Sequence, residues 1–583
     1  GRGVIAKFYR DKFDESLNFA RIGDGSVGGK ARGLAFLDSM VKRNWILDKY
    51  ENIIITIPRT VVIATDIFDE FMEENKLYEL ALSDISDEEI LEAFVNADLP
   101  QRVHQDLDAF LSVVDGPVAV RSSSLLEDSH YEPFAGVYTT YMIPNPKGSD
   151  LVSGMLRVAI KSVYASVYYK DSKAYMQTTS NVIDEEKMAV VLQEVCGHKH
   201  EERYYPTFSG VARSINFYPI EPEKSEDGIA NIAFGLGKHI VDGGISLRFS
   251  PKFPKKILQL SSAKSALTQT QKYFYALDLD PEKFEACVKD DINILKLRVK
   301  DAEGDYSFKS VVSTYDYQND ILRDGGLYEG KKLVTFANIL KYNSFPLADI
   351  LREILTIGHN EMNNAIEIEF AVNITPDKEA FNIFNLLQIR PIVENNETIS
   401  EDLSLISRDD TIIVSEQALG NGIIDDIKDL VYVKPESFDA KNNRTIAEII
   451  GKLNEQFLNE NKNYILSGPG RWGSSDPWLG IPVKWAQISA ARLIVEAGLE
   501  NYRIDPSQGT HFFQNLTSYR VGYFTINPYI QDGFLDLDFL NTIDAEYEDD
   551  YVRHIRFENP AVIKISGKKS RGVVMKPKER DSE

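Results

Sequence analysis

In two short segments, residues 366–370 and 387–391, apolar and polar positions alternate with a period of two. In Ile366-Glu367-Ile368-Glu369-Phe370 the apolar residues share one face of an extended chain and the two glutamates share the other. In Leu387-Gln388-Ile389-Arg390-Pro391 the alternation sets Gln388 and Arg390 on one face and Leu387 and Ile389 opposite. Pro376 and Asp377 between the two runs predict a turn, and the whole reads as a hairpin. Near the start, Leu34, Leu37, Met40 and Val41 recur at helical spacing and predict a helix from about Ala31, directly after the glycine-rich segment Gly23–Lys30. Residues 53–64 read as strand, a break at Pro58, and strand. Residues 66–112 read as mostly helical and acidic. Val118-Ala119-Val120 predicts a short buried strand running into a serine loop. A long helix over 151–178 precedes a buried strand over Met188–Val195, and residues 209–249 alternate short strands with glycine turns. Residues 260–360 read as mainly helical. The polar stretch Glu394–Ser407 is the linker candidate, dividing the chain into domains 1–395 and 396–583.

Composition narrows the function. The 583 residues suggest roughly three to four domains. The net charge of -24, from 65 basic and 89 acidic residues, argues against broad nucleic-acid binding, which needs Lys and Arg to displace counterions. It leaves room for a local basic pocket. Two cysteines, Cys196 and Cys287, form no metal-ligand cluster and fit a reducing cytoplasm. No apolar run is long enough for a bilayer and no signal peptide opens the chain, so no membrane role is expected. The chain starts at Gly1 rather than Met, which fits a fragment or tagged form of a longer protein with upstream domains.

Two carboxylates beside an amide and a guanidinium suit a divalent cation and a polyphosphate. Mg²⁺ is commonly held by one or two carboxylates plus substrate phosphates, and Arg grips phosphate with a rigid charged fork. A solvated strand face with an ion pair explains the same pattern. The Gly23–Lys30 loop suits an anion through backbone N–H groups, a helix N-terminus and the charge of Lys30. It is no P-loop, because Ala31 follows Lys30 where that motif has Ser or Thr; a plain glycine turn is the alternative. Arg121, followed by three serines, offers phosphate donors or a structural salt bridge.

These pieces stand in an order that resembles a known family. Gly28-Gly29-Lys30-Ala31 with its helix resembles the GGK opening of the ATP-binding domain of pyruvate phosphate dikinase and phosphoenolpyruvate synthase. Ile57-Pro58-Arg59-Thr60-Val61-Val62 with Thr65 is similar to the family's VPxGFxxT segment, and residues 118–141 to its VAVRSSxxxED…FAGxxxTxL block. Met188–Val195, Ser209–Ala212, Phe234–Gly237, Glu367–Phe370 and Leu387–Ile392 resemble MAVxVQxMV, SGVxFT, GLGE, DIEW and LQxRPI. The resemblance covers residues 22–392. It implies an α+β or α/β chain with a two-lobed ATP-grasp nucleotide-binding fold and a separate divergent C-terminal α/β domain, of a degenerate swivelling type. It implies Lys30 and Arg121 on the ATP phosphates, and Gln193, Glu194 and Val195 at the adenine edge. Glu367 and Glu369 would bind Mg²⁺, while Gln388 and Arg390 reach the phosphates or the metal's surroundings. Lys30, Arg121 and Arg390 would act by electrostatic positioning of phosphoryl groups.

There are departures. Lys238 stands where the family has Glu after GLG, and Arg59 replaces a small residue or proline. The family's carrier-histidine block is not intact: residues 411–435 and Gly470–Val483 resemble parts of such a domain, with Asp476 near the histidine's place. His511 is the candidate phosphate carrier, against a packing role beside Phe512 and Phe513. His198 and His200 read as a solvated loop rather than a metal pair. Aromatic patches around Trp472, Trp478, Trp485 and Phe512 read as core or interface, with a substrate pocket as the alternative. The expected function is an ATP-dependent, dikinase-like phosphotransferase in the cytoplasm. It would use ATP and Mg²⁺ and an acceptor, small molecule or protein, that the sequence does not name; a homo-oligomer is compatible. An ATP-grasp ligase acting through an acyl phosphate and a nucleotide sensor without turnover are the rivals.

Overall fold

Apolar alternation in the hairpin becomes the buried face of a sheet. Ile366, Ile368 and Phe370 of strand Ile366–Asn373 enter a core shared with Leu347, Ile350, Leu351, Ile354 and Leu355 of helix Leu347–Met362. The computed structural model describes residues 5–8, 19–126, 138–178, 183–392, 399–506, 510, 512, 513, 516 and 521–578. The chain divides into two compact units. The first comprises Gly1–Asn216, Glu221–Ile240 and Ile245–Ile392; the second comprises Phe217–Ile220, Val241–Gly244 and Val393–Glu583. Several mixed sheets with helices between them make this an α+β chain. No helix among the described residues is long and apolar enough to cross a membrane.

In the first unit, among the described residues, six strands run in the order Leu247–Phe249, Ile229–Phe234, Phe208–Arg213, Ile366–Asn373, Asn382–Pro391, Ile53–Thr56. Neighbours are antiparallel except the last pair. The register between the acidic strand and Asn382–Pro391 jumps: Glu369 faces Gln388, but Phe370 faces Leu386. Leu387 is the extra residue of a β-bulge. Leu386 therefore takes the core position, fully buried, and Leu387 is only half-buried. This corrects the simple alternation, which put Leu387 beside Ile389.

A second sheet orders Ala6–Lys7, Phe19–Ile22, Thr60–Ile63, Met188–Glu194, Val118–Ser124 and Thr140–Ile143. Pro58 does more than interrupt a strand: Ile53–Thr56 and Thr60–Ile63, on either side of it, belong to different sheets. The three serines after Arg121 are strand, not loop, and all are buried. The helix expected over 151–178 is two, Leu151–Ser166 and Lys170–Thr178. At the break Ser172 Oγ donates to the Ser166 carbonyl, and Ser166 Oγ donates to that of Val163, so hydroxyls take acceptors that a continuing helix would use. Residues 260–360 are not mainly helical. Tyr273–Asp278 pairs with Ile294–Arg298, and Val312–Asp316 pairs with Ile321–Asp324 and Lys331–Val334. Their aromatic and β-branched runs favour strands.

The second unit is built on parallel strands Gly422–Val433, Tyr464–Pro469, Ala491–Ala497 and Gly522–Ile526, with helix Asn443–Asn459 crossing between the first two. Antiparallel strands continue the sheet beyond Gly422–Val433, starting with Val552–Ser566 and Arg571–Met575. Trp472, Trp485 and Phe513 are buried, whereas Trp478 is 70% exposed.

Candidate active site

Arg121 joins the two six-stranded sheets of the first unit. It leaves strand Val118–Ser124 opposite Val191. Its Nη1 donates to Gln193 Oε1 at 2.9 Å and to the Leu387 carbonyl at 2.9 Å. Its Nη2 donates to Gln388 Oε1 at 3.1 Å and lies 3.9 Å from Glu369 Oε2. The bulge explains one of these contacts: where the ladder is interrupted, the Leu387 carbonyl turns to a guanidinium. Gln193 is in turn fixed, its Nε2 donating to Thr60 Oγ1 at 3.1 Å.

Beside Arg121 lies a row of charges set by strand register. Arg213, Glu367 and Arg390 are direct cross-strand neighbours on three adjacent strands. Glu367 has a side chain only 2% exposed; its Oε1 is 2.6 Å from Arg213 Nη2 and its Oε2 3.1 Å from Arg390 Nε. Glu369 differs. Its side chain is 18% exposed, and its oxygens lie 3.6 Å from Arg390 Nη2 and 3.9 Å from Arg121 Nη2, beyond hydrogen-bond range. The two glutamates, paired as metal ligands by the family resemblance, are thus unequal. Glu369 fits a single-carboxylate Mg²⁺ contact that substrate phosphates complete. Glu367 does not, because both oxygens already face guanidinium groups. No group of three or more His, Cys, Asp or Glu among the described residues forms a ready-made metal site.

The glycine segment meets this site from the helix side. Gly28 opens helix Gly28–Arg43 at φ +74, and a Cβ there would sit 2.2 Å from the Ser123 carbonyl. Ser123 Oγ accepts from Ala31 N at 3.1 Å and donates to the Val27 carbonyl at 2.7 Å. It caps one of the unsatisfied donors of the first turn, the turn that carries Lys30. Five residues on, a Cβ at Gly33 would be 2.7 Å from the Ile389 carbonyl, so the helix lies against the arginine-bearing strand. Gly28 on Ser123, Gly33 on Ile389 and Arg121 on Gln388 bring together the glycine segment, the VRSS strand and the acidic hairpin.

The loop before the helix holds an anion of its own. The N–H groups of Asp24 and Gly25 each donate to the Asp66 carboxylate at 3.0 Å, and Ser26 N donates to Thr65 Oγ1. Burial pushes the Asp66 carboxyl up, but these N–H groups and Arg102 outweigh it and hold it below the usual range. The donors expected for phosphate at positions 24–26 are therefore occupied by side chains. At the expected adenine edge, Gln193 is buried, Glu194 N donates to the Arg59 carbonyl and Val195 N to that of Pro117, both at 2.9 Å. Burial raises the Glu194 carboxyl above its usual range, against the opposing charge of Arg59. Arg59 also donates from Nη1 to the Val113 carbonyl at 2.8 Å.

His511 lies outside the described residues, as do Glu127, Asp128 and Phe134–Gly136. His198 and His200 are not in a solvated loop: both lie on strand His198–His200, and His200 is 4% exposed, stacked on Tyr205 and hydrogen-bonded to Ser307 Oγ at 3.0 Å. Burial holds both imidazoles below their usual pKa. Sequence reading missed Arg213, which ends the strand carrying the Ser209–Ala212 block. Its charge at a strand end was the available signal, but its partner is set by pairing with a strand more than a hundred residues away.

The chain's profile matches that of the pyruvate phosphate dikinase, AMP/ATP-binding domain, over residues 24–409, and the chain belongs to this family. Among curated proteins it is similar to an uncharacterized phosphotransferase of Bacillus subtilis (strain 168), YvkC, at 26% identity over 193 residues, 33% of this chain and 20% of the relative. It is also similar to the phosphoenolpyruvate synthase of Aeropyrum pernix, at 27% identity over 241 residues, 38% of this chain and 26% of the relative. The matched stretches span a fifth to about a quarter of these relatives' lengths.

Proposed function

We propose that the first unit is an ATP-grasp module that binds Mg-ATP and transfers a phosphoryl group, as a dikinase-like phosphotransferase. The observation that carries this reading is the convergence of Arg121, Gln388, Glu369 and Arg390 beside the first turn of the Lys30 helix. Arg121, Arg390 and Lys30 hold the phosphates and offset charge as the P–O bond to the leaving phosphate breaks and the acceptor oxygen or nitrogen bonds to phosphorus. Glu369 would be the carboxylate that contacts Mg²⁺, which would neutralise phosphate charge when bound. Glu367 acts as a positioning residue: held by Arg213, it fixes the fork of Arg390. Gln193 and Thr60 do the same for Arg121. The acceptor is a small molecule or a protein side chain.

Incubation with β- and γ-labelled ATP tests the reading. A dikinase gives AMP, orthophosphate and a phosphorylated acceptor or protein; ADP with a new amide would replace it by the ligase reading. Glu369→Gln is expected to abolish turnover while the chain stays folded, and wild-type turnover in that variant would remove Glu369 from the site. Lys238, where the family has Glu, favours a second reading as a nucleotide sensor. ATP binding without any product across an acceptor screen would support it.

A further inference from the structure

The second unit contains a cavity lined by Arg471, Gly473, Ser474, Glu496, Thr510 and Tyr523, with Phe512 and Phe513 forming an apolar wall. Arg471 and Glu496 lie at the C-terminal ends of the parallel strands Tyr464–Pro469 and Ala491–Ala497, where open α/β sheets commonly take ligands. Gly470 at φ +78 and Gly473 at φ +83 bracket the two-residue strand Arg471–Trp472, which pairs with Gly480–Ile481. A Cβ on either glycine would press within 2.5 Å and 2.7 Å of the rings of Phe438 and Phe512 respectively.

Arg471 is poorly provided for by the protein. Its Nε is buried with no hydrogen-bond partner, and its Nη2 makes one long bond, 3.4 Å, to the Asp505 carbonyl. No carboxylate among the described residues is within ion-pair distance of it. Glu496 lines the same cavity, but its oxygens are engaged: Oε2 accepts from Trp472 N at 2.7 Å, and Oε1 accepts from the Tyr523 hydroxyl. A buried guanidinium without a paired anion is costly, and its donors are arranged as a fork that matches phosphate and carboxylate oxygens. Ser474 and Thr510 add hydroxyls to the same walls.

We propose that this cavity is a binding site for a small oxyanion, a phosphate or carboxylate group whose oxygens take the fork of Arg471 and whose body rests on the Phe512–Phe513 wall. The site is independent of the nucleotide reading of the first unit. A merely structural arginine would be paired; this one has its charge reserved for a ligand.

The test follows thermal unfolding of the full chain, at constant ionic strength, while inorganic phosphate or acetate replaces chloride. Equilibrium dialysis with labelled phosphate or acetate runs beside it. A saturable rise in unfolding temperature is expected with at least one anion. Saturation by phosphate alone assigns a phosphate group, and saturation by acetate alone a carboxylate. Arg471→Met is expected to lose the saturable rise and to unfold no lower than wild type without anion, since it removes an unpaired buried charge. Arg471→Lys, which keeps the charge but not the fork, is expected to bind at least tenfold more weakly; it stands in should Arg471→Met not fold. Arg121→Met separates the two units: the rise should persist in it. No saturable effect of either anion on the wild type, or an unchanged effect in the Arg471 variants, would overturn the proposal. So would loss of the effect in Arg121→Met.

Discussion

Each unit sets an arginine near a buried glutamate, and the two pairs are held in opposite ways. In the first unit, Glu367 lies between Arg213 and Arg390 at 2.6 and 3.1 Å, and cross-strand register makes them neighbours. In the second unit, Arg471 and Glu496 share a cavity but not a contact, and Glu496 gives its oxygens to a backbone N–H and a phenol. Burial then pushes the Glu496 carboxyl up to about 7, with Tyr523, Arg471 and the Trp472 N–H opposing. Two buried glutamates are thus held by different kinds of partner: guanidinium groups around Glu367, and a backbone N–H and a phenol around Glu496.

The largest effect that sharpens this contrast is expected from Glu367→Ala. It strands Arg213 and Arg390 facing each other across an empty position, and breaking a buried pair in this way costs about 3–5 kcal/mol. Chemical denaturation should show the loss; a loss under about 1 kcal/mol would reduce the row to a solvated ion pair.

Next comes Glu496→Gln. The Glu496 carboxyl has a raised folded pKa, so the folded state holds a proton that the unfolded state releases between the ordinary value of 4.5 and about 7. Stability from this group is full below the lower value and falls as pH rises to the upper one, by about 3 kcal/mol in total. The glutamine variant should flatten that part of the stability–pH curve, measured by denaturation from pH 4.5 to 8. An unchanged slope would show that Glu496 is not the titrating group. Tyr523→Phe should cost about 1 kcal/mol, the net worth of one buried hydrogen bond. The smallest stability change, under about 1 kcal/mol, is expected for Glu369→Gln, whose contacts with Arg121 and Arg390 are long and partly exposed. That variant should separate activity from stability most cleanly. A stability loss as large as that of Glu367→Ala would erase the distinction between the two glutamates.

Much of the first-unit site was legible because strand periodicity is local. Glu367, Glu369, Gln388 and Arg390 sit on a face that two-residue alternation marks, and Arg121 ends a short apolar run. What was not legible depends on pairing between distant strands. Arg213 reaches Glu367 only through the register of Phe208–Arg213 with Ile366–Asn373. Residues 260–360 were misread because short aromatic strands there interleave with helical turns, and neither period runs long enough to dominate. In the second unit the pocket collects residues from five separate stretches of chain. Ser122–Ser124 looked like a loop from composition, yet pairing with Met188–Val190 makes them buried strand.

The extra residue at Leu387 has a bearing on redesign. Removing it would restore perfect alternation: Leu386 and Ile389 would keep the core side and Gln388 the other, and the hairpin would become more regular. An optimiser rewarding ideal strands would make that deletion. It would also strip Arg121 of the Leu387 carbonyl as a hydrogen-bond acceptor, leaving a tidier sheet with a looser arginine.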